Sequence, residues 1–165
     1  MCKLSVDCTD YIVDEPAPFN SKFFSNKFNH AALRYELGVA LYSSNIVWAT
    51  GPHLPGKKND LTIFRQELKH ALLANREMAF ADSGYRGERE VIQEKGRGNQ
   101  IERAVATRAR ARHETANRRL KEWKCLSNQF RHNHGHEIEN HFYVFNAVLV
   151  LTQLNINLNN SLFEL

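Results

Sequence analysis

Cysteine is scarce in this chain. Cys2, Cys8 and Cys125 are an odd number without a CxxC pair, which argues against a disulfide framework and against a zinc ribbon. Glycine and proline number only 8 and 4, so a collagen-like rod is excluded. No apolar run reaches membrane-spanning length. The longest, residues 142–154, is interrupted by Asn146, Thr152 and Gln153, and no membrane partner is expected. The first residues, Met-Cys-Lys-Leu-Ser, lack the apolar core of a signal peptide, so the default expectation is an intracellular protein. Repeats and inter-domain linkers are also missing. What is present is a hydrophobic content of 42% and a charged content of 24% in 165 residues, enough for one domain with a real core and unlike a disordered chain.

The net charge of +4 is unevenly placed. Ten Lys and Arg lie between Lys95 and Lys124 against three acids, Glu102, Glu114 and Glu122. That segment carries +7, so the rest of the chain carries −3. A basic excess gathered in one stretch points to a polyanionic partner.

Hydrophobic spacing predicts short strands at residues 4–6 and 11–13, parted by the polar Asp7-Cys8-Thr9-Asp10. Leu33, Tyr35, Leu37, Val39 and Leu41 alternate strictly, which predicts a strand with one apolar face and a hairpin partner at residues 46–49. From Asn59 or Asp60 the period changes, and Leu61, Phe64, Leu68 and Leu72 fall on one face of a helix. A short apolar strand is expected at Met78–Ala81. A helix at about residues 101–123 follows, with a thin stripe of Val105, Ala109, Ala116, Leu120 and Trp123. A last helix is expected at residues 137–154, then an Asn-rich tail over residues 155–165. The order β-β-β-α-β-α-α implies an α/β fold, an antiparallel meander plus a further strand in a mixed sheet with helices on its faces.

Two acids stand where strands end, Asp7 and Asp82, while Glu114 lies mid-helix and Asp60 opens a helix. Acids from separate elements can converge as oxygen ligands of a hard divalent cation. Each also has an ordinary structural role. Asp60 can cap its helix, Glu114 has Arg110 and Arg118 at i−4 and i+4, and Asp82 precedes Ser-Gly as a turn residue does.

Four blocks taken together resemble a known family. Val6-Asp7-Cys8-Thr9, then Lys57-Lys58-Asn59-Asp60-Leu61-Thr62-Ile63-Phe64, then Ala81-Asp82-Ser83-Gly84-Tyr85-Arg86-Gly87, then the Arg-rich run from Arg108 to Lys121 are similar to the successive motifs of DDE-superfamily transposases of the PIF/Harbinger type. The resemblance spans about residues 5–150. It implies a ribonuclease-H-like fold, a site of two Mg²⁺ or Mn²⁺ ions, metal-dependent cleavage and strand transfer of DNA, and nuclear location. It carries the catalytic and metal-ligand roles to Asp7, Asp82 and Glu114, with Asp60 as a further metal-site acid. Cys8 stands where the family commonly has glycine, and Asp10 is a second candidate that would face the other side of a continuous strand. Residues 1–154 are expected to form the catalytic domain, without the N-terminal DNA-recognition region usual in the family. That leaves room for a separate DNA-recognition protein, for a homo-oligomer, and for the alternative of an inactive DNA-binding module.

The basic helix supplies the expected DNA contacts: Arg103, Arg108, Arg110, Arg112, Arg118, Arg119 and Lys121. Such contacts grip phosphates and carry no sequence information. His132, His134 and His136, with His141 beyond, lack an accompanying cysteine pair and read as a polar cap before the last helix rather than a zinc site.

Overall fold

The computed structural model describes residues 2–93, 100–131, 136–158 and 161–162. The chain begins with β1 (Cys2–Ile12), followed by the two-residue β2 (Phe24–Ser25), β3 (His30–Ala40) and β4 (Ile46–His53). Two short helices, α1 (Asp60–Gln66) and α2 (Leu68–Asn75), lead to β5 (Met78–Ala81) and β6 (Val91–Gln93). The rest is helical: α3 (Gln100–Lys121), the single-turn α4 (Lys124–Ser127) and α5 (Glu137–Leu158).

The strands make one mixed sheet in the order β2-β3-β1-β5-β6, with β4 also paired to β3. β1 and β3 run antiparallel from Leu4↔Ala40 to Ile12↔Ala32. β5 and β6 continue parallel to β1. The α/β fold with a mixed sheet and flanking helices is therefore as expected.

The polar stretch Asp7-Cys8-Thr9-Asp10 does not split the first strand. An unbroken ladder to β3 satisfies its backbone, and its polar side chains find partners on either face. On one face Tyr11, Leu33, Tyr35 and Leu37 pack against Leu120 of α3 and Phe145 and Val148 of α5. On the other, Leu4, Val6 and Ala79 pack against Phe64, Leu68, Leu72 and Tyr85. The alternation of Leu33, Tyr35, Leu37, Val39 and Leu41 is realised, with all five buried.

Three expectations need correction. The helix expected from residue 60 breaks at Glu67, whose φ of −121° and ψ of −90° leave the helical region, although Phe64, Leu68 and Leu72 still share the core. The buried side of α3 is Ala106, Ala109, Arg112, His113, Ala116 and Leu120, while Trp123 lies past its end and 38% exposed. Helix α5 runs on to Leu158, so residues 155–158 are helical rather than tail. Glu88, buried before β6, accepts from Arg65 Nε and Lys69 Nζ at 2.6 Å each and ties the α1–α2 pair to that loop.

Candidate active site

The parallel pairing of β1 with β5 sets the site. Ser5 lies in register with Phe80, and Asp7 and Asp82 each stand two residues further on, at the same level of neighbouring strands. Asp7 is half-buried and its Oδ1 accepts from the Cys8 N–H at 2.8 Å. Burial, then the like charges of Asp82 and Asp60, push its carboxyl up to about 6, against the opposing hydrogen bond from the Cys8 N–H and a smaller pull from Lys27. Asp82 is exposed and its Oδ1 accepts from the Gly84 N–H at 2.7 Å, so the turn role open to it is also taken. A Cβ on Gly84 would stand 2.9 Å from Asp82 Oδ1 and 3.8 Å from Asp60 Oδ2. Glycine there leaves room for both carboxylates to approach.

Asp60 is not the helix cap. Asn59 Oδ1 accepts from the Thr62 N–H at 2.9 Å and caps α1, leaving Asp60 to accept from Arg34 Nη1 at 2.7 Å. Burial raises the Asp60 carboxyl, while Arg34 opposes that rise. Glu114 reaches the same cleft from α3. Its side chain is 61% exposed and pairs with Arg110 Nε at 3.0 Å, the i−4 partner that spacing allowed. Asp7, Asp60, Asp82 and Glu114 all line one open cleft of about 560 Å³.

The donor set is all carboxylate oxygen, the kind a hard divalent cation takes. Among the described residues no three His, Cys, Asp or Glu side chains close on a single ion position. The residues fit such an ion in chemical kind, and the four acids share a cleft without forming a closed cage.

The family of DDE superfamily endonucleases matches residues 6–153, a span that holds all four acids. The chain belongs to this family. No curated protein and no solved structure matches it. Membership suggests an activity of nuclease or transposase type and DNA as the partner, in a family that generally uses divalent metals. Among the described residues no helix is long and apolar enough to cross a membrane.

Within this DDE domain the cations divide. Arg110, Arg118 and Lys121 line the cleft beside the acids, together with Lys27 and Arg34. Lys121 sits over the rings of Tyr11 and Phe28 at 5.3 and 5.7 Å. Arg112 is a correction to the expected DNA face. It is buried, and its guanidinium donates to the carbonyls of Ala40, Leu41 and Ser43, so it secures the β3–β4 turn. Arg119 Nη2 donates to Ser161 O at 3.4 Å, and Arg108 is exposed outside the cleft lining. The side chain of Arg103 lies outside the described residues, as do His132 and His134. His136 is exposed near Glu139, whereas His141 is buried and its Nδ1 lies 2.8 Å from Tyr35 Oη. The two described histidines do not share a site.

Several residues at the site were not legible in advance. Arg34 grips the buried Asp10 with Nε at 2.6 Å and Nη2 at 2.9 Å, and Ser25 Oγ donates to Asp10 at 2.7 Å. Both oxygens of Asp10, the second candidate, are thus engaged by Arg34 and Ser25. His113 is buried with Nδ1 3.0 Å from Ser5 Oγ, and burial pulls it down to about 4, so it is neutral at pH 7. It lines a cavity of about 60 Å³ shared with Asp7, Asp82 and Glu114.

Proposed function

We propose that the chain is the catalytic core of a DDE-type transposase of the PIF/Harbinger kind, with a ribonuclease-H-like fold and Asp7, Asp82 and Glu114 as its catalytic acids. The observation that carries this reading is the shared cleft. Acids from β1, the end of β5 and α3 line one concavity with Arg110, Arg118 and Lys121. The fold proposal rests on the strand order, in which β4, β3 and β1 are antiparallel neighbours and β5 and β6 run parallel to β1.

Asp7 and Asp82 would hold the metal, with Glu114 and Asp60 supplying further oxygens. Two Mg²⁺ or Mn²⁺ ions, when bound, supply Lewis-acid activation of a water and offset charge on the phosphate being cleaved. Arg110, Arg118 and Lys121 grip the DNA backbone and add positive charge beside the reacting phosphate. The protein itself forms no covalent bond to DNA. The freed 3′-hydroxyl then attacks target DNA, which is the strand-transfer half of the reaction. On this reading the chain acts in the nucleus, and target choice comes from a separate recognition element.

A cleavage assay with Mn²⁺ on element-end DNA tests the assignment. Asp82→Asn and Glu114→Gln should each abolish cutting, and full activity in either variant defeats it. A second reading is favoured by the Glu114–Arg110 pair, which turns one acid to a neighbouring cation. It makes the chain an inactive, transposase-derived DNA-binding module, whose DNA affinity and salt dependence survive loss of the carboxylates.

A further inference from the structure

The small cavity beside the cleft contains an unanswered acceptor. Ser5 and Asp7 lie two apart on β1, so their side chains share one face of the sheet. His113 of α3 packs there, buried, with Nδ1 3.0 Å from Ser5 Oγ. Ser5 Oγ donates its single hydrogen to Val39 O at 3.4 Å, so toward the ring it accepts, and Nδ1 carries the imidazole proton. Nε2 is then an acceptor, buried and without a hydrogen-bond partner among the described residues. It belongs to a residue that lines the cavity of about 60 Å³. A water needs about 10–15 Å³ of such space, and a buried polar atom beside a polar cavity is where ordered water is found.

We propose that the cavity holds a bound water that donates one hydrogen bond to His113 Nε2 and the other to Asp7 Oδ2, and that His113 is thereby the positioning residue of that carboxylate. The other polar groups around the cavity favour this occupant. Asp7, Asp82 and Glu114 only accept when ionised, and Arg110 directs its Nε to Glu114 at 3.0 Å. An imidazole lone pair facing carboxylates needs a donor between them, and water brings two. Asp7 is the least exposed of the three acids, and the Cys8 N–H already occupies its Oδ1. Among the described residues no three metal-ligating side chains close on one point, which favours water over an ion held by the ring itself. The water stands on the cavity alone, while the positioning role rests on reading Asp7 as a metal ligand. Groups that orient a metal ligand from behind contribute about 10–100-fold to metal affinity.

Nuclear magnetic resonance of the metal-free full chain, labelled with ¹⁵N at histidine, tests the water. The His113 ring, assigned by its loss in His113→Asn, should show Nδ1 protonated and an Overhauser contact from Hε1 to a long-lived water. A ring without that contact overturns the proposal, whatever the metal does. Mn²⁺ affinity, read from the electron paramagnetic resonance of the free ion, tests the positioning. His113→Asn keeps a donor toward Ser5 and loses the acceptor, so its affinity should fall about 10–100-fold with an unchanged circular dichroism spectrum. His113→Gln, whose amide reaches toward the Nε2 position, should recover most of that loss. Equal losses in the two variants, or no loss in His113→Asn, overturn the positioning role. A wild type that binds no Mn²⁺ overturns the metal-site reading and the positioning role with it, while the water contact in the metal-free chain still bears out the bridge.

Discussion

One guanidinium spans two layers of this protein: Arg34 holds the buried Asp10 through Nε and Nη2 and reaches Asp60 at the cleft through Nη1, at 2.6, 2.9 and 2.7 Å. Removing it leaves Asp10 charged, buried and unpaired by its fork. Arg34→Met should therefore lower stability by about 3 kcal/mol, the usual cost of breaking a buried pair from one side. Arg34→Lys should recover only part, since an ammonium cannot reproduce the two-pronged grip. Urea unfolding measures both, and a loss below about 1 kcal/mol for Arg34→Met would show the network to be idle.

Glu36 gives a pH signature. Burial pushes its carboxyl up to about 8, and a hydrogen bond from Trp48 Nε1 at 3.1 Å only partly opposes that. A raised carboxyl means the folded state holds its proton more tightly than the unfolded one. Stability from this group is full below the ordinary value of 4.5 and is lost as pH rises through about 8. Glu36→Gln should flatten that loss, gaining on the order of 3 kcal/mol over wild type at pH 9. A thermal melt series from pH 5 to 9 would read the difference, and parallel curves would contradict it.

The acids of the cleft trade stability for charge. Burial, and after it the charges of Asp82 and Asp60, push the Asp7 carboxyl up, so Asp7→Asn and Asp82→Asn should each stabilise the metal-free chain by about 1 kcal/mol. Mn²⁺ should raise the melting temperature of the wild type and have little effect on either variant. Equal Mn²⁺ shifts in all three would mean the ion binds elsewhere.

The basic helix separates phosphate contacts from scaffold. Arg118→Ala and Lys121→Ala should each reduce the slope of log affinity against log salt by about 1. Arg112→Ala should leave that slope alone and instead destabilise by about 3 kcal/mol, because three carbonyls lose their buried donor. Fluorescence anisotropy at several salt concentrations distinguishes the two classes. A slope change in Arg112→Ala would return it to the DNA face.

How much of this could be read in the residues depended on range. Strand β3 was plain because its period of two is strict and one face is wholly apolar. β1 was read as broken because Asp7 to Asp10 are polar, and only the ladder to β3 and the partners Arg34 and Ser25 make an unbroken strand affordable there. The three-residue β6 has too few residues for any period to show. At the site, Asp7, Asp60, Asp82 and Glu114 stood out through motif blocks, and one cleft does gather them. Arg112 misled because a run of arginines reads as one solvated face, whereas a helix turns each residue by about 100° and aims some of them inward. Arg34 and Glu36 were hidden for the opposite reason: alternating with Leu33, Tyr35 and Leu37, they look like a wet face, but α1 and α2 cover that side of the sheet.

The burial of β1 also decides how the cleft meets oxidants. Cys8 follows Asp7 in the chain and lines the same cleft, yet it is buried, with its Sγ accepting from Tyr85 Oη at 3.5 Å, and burial pushes its thiol well above the ordinary range. Cys2 is likewise pushed up to about 12. Neither forms the thiolate that alkylating reagents and peroxides attack. A sulfur one residue from a cleft acid is thus poorly reactive, and exposed Cys125, on the far side of the basic helix in sequence, is the place where a thiol label would report on the chain without poisoning its cleft.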